Sequence, residues 1–144
     1  MKKAALVVVT CLSVAGSGLA FAHGDVVPQP VNTAGLTPLG DTWLEHNPYR
    51  KGHAEYEKAV DLGKSAYNQN CAACHGLEAK SGGIAPDLRE LESGDYGDEW
   101  FKERVINGAV RDDRVMMPKM ANFLNQEALW SIRAWLETVA LDNQ

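Results

Sequence analysis

Apolar positions recur at helical intervals in three stretches of the chain. In residues 53–70, Tyr56, Val60, Gly63 and Tyr67 fall at steps of four, three and four, which puts them on one helical face. Gly63 sits in the middle of that face. Glycine weakens a helix interior, so its place there predicts the close approach of a second helix. In residues 98–107, Phe101 and Val105 share a face, and Asn107-Gly108 supplies a C-terminal stop. In residues 125–141, Leu129, Ile132, Leu136 and Val139 form an apolar stripe flanked by Trp135. Asn125 is placed to cap that helix, with Glu127 near its positive end. No segment alternates apolar and polar residues well enough to predict a strand. The expected class is all-α.

The helical period disappears before residue 53. Residues 23–52 hold Pro28, Pro30, Pro38 and Pro48, with Gly24, Gly35 and Gly40 among them. The same stretch holds Leu36, Leu39, Trp43, Leu44 and Tyr49, which is too apolar for a free linker. An irregular arm that wraps the domain and docks these side chains is expected; a partner-recognition arm is the alternative. Residues 1–22 read as a secretory signal peptide. Lys2 and Lys3 precede a mostly small and apolar run, and Ala20-Phe21-Ala22 forms a small-x-small cleavage site. The apolar run is short, rich in Ser, Gly and Thr, and followed by no stop-transfer pattern, so no stable membrane anchor is expected. The layout is then a signal peptide at 1–22, an arm at 23–52 and one helical domain at 53–144, in the periplasm.

Charge narrows the choice of partner. The chain has 144 residues and a net charge of −5; removing residues 1–22, with their two lysines, leaves 122 residues and −7. That is enough for one domain with a modest core. Such an acidic surface excludes nucleic acid as an expected partner. Asp95, Asp98, Glu99, Asp112 and Asp113 are candidates for an acidic docking patch or a merely solvated surface.

The chemistry lies in Cys71-Ala72-Ala73-Cys74-His75. Cys-x-x-Cys-His is the attachment pattern of haem c. Two thiols on one helical turn can add to the two vinyl groups of a porphyrin, and the adjacent imidazole can bind its iron. A thioredoxin-like pair would sit beside a βαβ pattern, and a zinc ribbon would need a second cysteine pair. The one other cysteine, Cys11, lies in the leader. A second iron ligand has three candidates downstream, Met116, Met117 and Met120, beside Pro118. Bis-histidine ligation would need His23, His46 or His53 from the arm region. A thioether favours Fe(II) and raises the reduction potential, as suits an electron carrier.

Taken in order, these parts resemble a class I cytochrome c over residues 54–141. The order is a helix with Gly63 and Tyr67, the haem motif followed by Gly76, Gly83-Ile84-Ala85-Pro86-Asp87-Leu88, Met117-Pro118, and a last helix with Trp130 and Trp135. The resemblance implies three to five helices around one covalent haem c. It implies Cys71 and Cys74 as thioether anchors and His75 as the proximal iron ligand. Pro86 would offer its carbonyl to the far nitrogen of His75, and Leu88 would pack on the haem face. Met117, immediately before proline, is the implied second ligand, with Met120 the alternative. Gly63 would lie at the crossing of the first and last helices, near Trp135.

The arm, with His23-Gly24-Asp25 and Trp43-Leu44-Glu45-His46-Asn47-Pro48-Tyr49-Arg50, is similar to that of cytochromes c-550 that serve PQQ-dependent alcohol dehydrogenases. That likeness implies a soluble, monomeric periplasmic electron carrier rather than an enzyme. It would take electrons transiently from a quinoprotein alcohol dehydrogenase and pass them to a membrane terminal oxidase. The alternatives are a permanent haem c subunit of a larger dehydrogenase complex, and an enzyme or gas sensor with an open iron position.

Overall fold

Tyr56–Asn70 forms helix α1, and Gln126–Val139 forms helix α4, which packs across it. The computed structural model describes residues 27–143; the expected signal peptide at 1–22 and the first residues of the arm lie outside the described residues. Gly63 is the crossing point. A Cβ there would stand 1.9 Å from the Ser131 carbonyl oxygen, so only glycine lets the two backbones come this close. The contact falls one turn before Trp135. Trp135 itself packs on Tyr67, with ring centroids 4.6 Å apart. The buried face of α1 comprises Ala59, Gly63, Ala66, Tyr67 and Asn70, while Val60 is only half-buried.

Helix α4 is capped as expected, with the Asn125 side chain accepting from the Ala128 N–H at 3.1 Å. Its burial is wider than the single stripe expected. Every residue from Gln126 to Leu136 is buried, including Glu127, Ser131 and Arg133. The arm covers the polar side. Leu39 N–H donates to Glu127 (2.6 Å), and Leu44 N–H to Gln126 (3.2 Å). The Gln126 amide donates back to the carbonyls of Gly40 (2.5 Å) and Thr42 (3.1 Å). Trp43 meets Trp130 edge-on at 6.1 Å. Leu36 and Tyr49 are buried, Leu39 and Trp43 are half-buried, and Leu44 points outward. At its start the arm is tied to α1, where Gln29 N–H donates to the Asn70 side chain at 2.7 Å.

Helix α2 is one turn, Ala72–His75, and α3 runs Asp95–Asn107, three residues earlier than its apolar spacing predicted. Asp98 is not a surface acid. It is fully buried, and its carboxylate takes Arg133 Nε at 2.7 Å, Asn47 N–H at 2.7 Å and Arg50 at 2.5 Å. This hub joins α3, α4 and the arm. A short antiparallel hairpin was not expected: β1 is Ala109–Arg111 and β2 is Arg114–Met117. Asp112 and Asp113 close its turn with φ of 49° and 59°, left-handed values that aspartate tolerates better than most residues.

Candidate functional site

The end of α1 delivers the chain into the Cys-x-x-Cys-His turn. The Cys71 carbonyl accepts from the N–H groups of Cys74 (3.1 Å) and His75 (3.0 Å), so α2 sets both thiols and the imidazole on one turn. Burial, and then the neighbouring Cys74, push the Cys71 thiol up to about 12, so it is held as the neutral thiol. Gly76 turns the chain out of α2 at φ +82°; a Cβ there would stand 1.9 Å from the Lys80 carbonyl oxygen. Tyr67 locks this turn from below, its hydroxyl donating to the Gly76 carbonyl at 2.7 Å.

His75 is half-buried, and its Nδ1 lies 2.9 Å from the Pro86 carbonyl oxygen. With the proton on Nδ1 the ring donates to that carbonyl and leaves the Nε2 lone pair for a metal. Leu88, two residues on, packs half-buried against the core.

The three methionines occupy different environments. Met116 is 54% exposed on β2. Met117, the next residue on the strand, turns to the opposite face and packs half-buried against the core. Met120 is buried within the core. Gly108, at the C-terminus of α3, allows the Met117-Pro118 backbone to pass close by. A Cβ on Gly108 would stand 2.5 Å from the Met117 carbonyl oxygen.

Two thiols, an imidazole with one nitrogen engaged and a thioether make a donor set that fits a covalently attached haem. The segments that carry these donors also leave Leu77, Ile84, Val115 and Phe123 more than half exposed, apolar side chains of the kind that a porphyrin covers. A second group of candidate donors, His46, Asp95 and Asp98, is already filled. Arg50 lies 2.6 Å from Asp95 and 2.5 Å from Asp98, and Arg133 takes the other Asp98 oxygen. His53 is exposed, with Nδ1 accepting from the Glu55 N–H, and His23 lies outside the described residues. Among the described residues, no helix is long and apolar enough to cross a membrane.

Tyr67, expected as an apolar position and as part of the family pattern, also holds the Gly76 carbonyl, and Gly108, expected as a helix stop, makes room for the Met117 backbone. The buried Asp98–Arg133 pair, which joins α3 to α4, was not expected. A charged residue on each of two amphipathic helices carries no signal that the two will meet.

A family model described as cytochrome c oxidase, cbb3-type, subunit III, matches residues 58–136. A cytochrome c550 of Pseudomonas aeruginosa is 69% identical over 126 residues, covering 88% of this chain and 87% of that protein. Two quinohemoprotein alcohol dehydrogenases of Pseudomonas putida match a smaller part. ADH IIB is 36% identical over 77 residues, which is 54% of this chain and 11% of the enzyme. ADH-IIG is 32% identical over 78 residues, 54% of this chain and 10% of the enzyme. No solved structure matches the chain significantly.

Proposed function

This chain belongs to the cytochrome c family, and we propose that it is a soluble periplasmic carrier between a PQQ-dependent alcohol dehydrogenase and a membrane terminal oxidase. Membership makes it an electron-transfer protein, not an enzyme, with one covalently bound haem c. When bound, that haem supplies a one-electron Fe(III)/Fe(II) couple. Cys71 and Cys74 would hold it covalently. His75 would present Nε2 to the iron, with Pro86 fixing the tautomer and the ring plane through Nδ1. Met117 would offer its thioether as the second iron ligand, with Met120 as the alternative. The reading favours Met117 because it lies at the edge of the core, neither in solvent like Met116 nor enclosed like Met120.

The observation that carries the reading is the His75 Nδ1–Pro86 contact at 2.9 Å beside two thiols on one turn. It pre-sets an imidazole for a metal, which a redox dithiol does not require, and a zinc ribbon would need a second cysteine pair that the sequence lacks. The donor assignment draws on the two quinohemoprotein alcohol dehydrogenases, each of which contains a stretch similar to this chain. The arm weighs against the alternative of a permanent subunit. Its Leu36, Tyr49 and Trp43 are spent on the chain's own core and helix α4 rather than presented to a partner. Docking is accordingly transient, through a small interface.

Visible spectra of the exported protein test the site. Haem c bands are expected in every variant, together with a weak far-red band in the oxidised wild type that is lost in Met117→Ala and kept in Met120→Ala. Retention in the first and loss in the second would move the ligand to Met120. Stopped-flow mixing with a reduced quinoprotein alcohol dehydrogenase tests the donor. Reduction no faster than by an unrelated dehydrogenase would remove that partner.

A further inference from the structure

The acceptor of the His75 hydrogen bond sits in a loop that has every reason to be loose. Residues 81–87 contain Gly82 and Gly83, and Gly82, Gly83, Ile84 and Pro86 are all exposed. Pro86 has no N–H with which to anchor itself. A free carbonyl in such a place would rotate toward water, and the imidazole would lose its partner.

The structure supplies a brace. Both residues that flank Pro86 are tied back to Ser81. On one side, the Ser81 hydroxyl donates to the Ala85 carbonyl in a short hydrogen bond and also accepts from the Gly83 N–H at 2.9 Å. On the other, the Asp87 carboxylate accepts from the Ser81 N–H at 3.3 Å. That carboxylate is itself fixed by Arg89, through the backbone N–H (3.1 Å), Nε (3.0 Å) and Nη2 (2.7 Å). The carbonyl before Pro86 and the side chain after it are thus both held by Ser81, and Arg89 secures the second.

The geometry points to Asp87, acting with Ser81 and Arg89, as a positioning residue that aims the Pro86 carbonyl at His75 and thereby tunes the iron's axial imidazole. The inference rests on the reading of His75 as the iron ligand. A well-aimed carbonyl draws the Nδ1 proton and makes the imidazole a stronger donor, which favours Fe(III) and holds the reduction potential down. Loosening the brace weakens that donation and raises the potential. Loss of the Asp87 charge alone also raises it, so potential by itself does not discriminate.

The test uses the haem-loaded protein and three variants: Asp87→Ala, Ser81→Ala and, as a charge control, Glu90→Gln. The readout is exchange of the His75 Nδ1 proton with solvent, followed by NMR in the reduced state, together with the reduction potential. Asp87→Ala and Ser81→Ala should each speed exchange at least tenfold and raise the potential, whereas Glu90→Gln should leave exchange unchanged. Exchange within twofold of wild type in Ser81→Ala, which keeps every charge, would overturn the inference. So would equal exchange in Asp87→Ala and Glu90→Gln. Should Asp87→Ala fail to mature, Ser81→Ala alone decides. The wild-type spectrum separates this from the underlying assignment. Strongly shifted His75 ring resonances report ligation whatever the variants do, so a failed brace leaves them in place and a failed ligand assignment removes them.

Discussion

Arg133 is fully buried on α4, and its removal should be among the more damaging single changes in the chain. Its Nε donates to Asp98 at 2.7 Å, and Nη2 reaches the carbonyls of Glu92 (2.8 Å) and Gly94 (3.3 Å) and the carboxylate of Glu137 (3.2 Å). Breaking a buried ion pair from one side typically costs about 3–5 kcal/mol, because the other charge stays behind without compensation. In Arg133→Met the stranded Asp98 keeps Arg50 and the Asn47 N–H. The Glu92 and Gly94 carbonyls belong to residues that are not themselves buried. The loss should therefore fall at the low end, about 3 kcal/mol. Asp98→Ala is worse. It takes the Nε partner from a wholly buried guanidinium, which keeps Glu137 and two carbonyls through Nη2, and it also frees Arg50 and releases the arm at Asn47, for about 4 kcal/mol. Arg50→Ala removes a partly exposed partner and should cost about 1 kcal/mol. The order Asp98→Ala, Arg133→Met, Arg50→Ala is the real prediction. It is read from guanidinium unfolding of the haem-loaded protein, followed by far-UV circular dichroism and haem absorbance. Arg133→Met costing under about 1 kcal/mol, or Arg50→Ala matching Asp98→Ala, would refute the picture of Arg133 and Asp98 as the buried centre of the hub.

Other consequences are simpler to state. Gly63→Ala drives a methyl group into the Ser131 carbonyl and should destabilise by about 1–3 kcal/mol; an unchanged melting temperature would mean the helices can slide apart freely. Tyr67→Phe keeps the ring on Trp135 but removes the Gly76 hydrogen bond. It should cost about 1 kcal/mol and speed amide exchange in residues 76–80. The backbone N–H of Ser93, and then its hydroxyl, hold Asp142 below the usual carboxylate range. Its stabilising effect is complete above about pH 4 and disappears as the pH falls through the lower folded value. Wild type should therefore melt higher than Asp142→Asn at pH 6, with the gap closing on acidification; a widening gap would contradict the sign.

The parts legible in the sequence were those whose cause is local. Helices α1 and α4 announced themselves by spacing, and Gly63 by standing where a side chain belonged. The docking of the arm was legible from Leu36, Trp43 and Tyr49, but not the surface that receives it. That surface is the polar side of α4. Gln126, Glu127 and Arg133 look like solvent-facing positions until Gly40, Leu39 and Asp98 are brought against them from far along the chain. The hairpin escaped notice because its strands are three and four residues long and largely exposed, so no alternating burial is written into them. At the site, the thiols and imidazole were legible as a motif. The brace around Pro86 was not, because serine, aspartate and arginine in a glycine-containing loop carry no spacing rule.

The strap formed by the arm also orders events in time. Its hydrogen bonds to the start of α4 join residues 82 to 92 positions apart. Contacts of such long range form late, since a large loop must close before any of them is made. The arm leaves the ribosome, or a membrane pore, well ahead of its seat. Between those two moments Cys71, Cys74 and His75 are already out, on a chain whose last helix has yet to arrive. Any factor that handles the two thiols in that interval meets a polypeptide whose ends have not yet found each other.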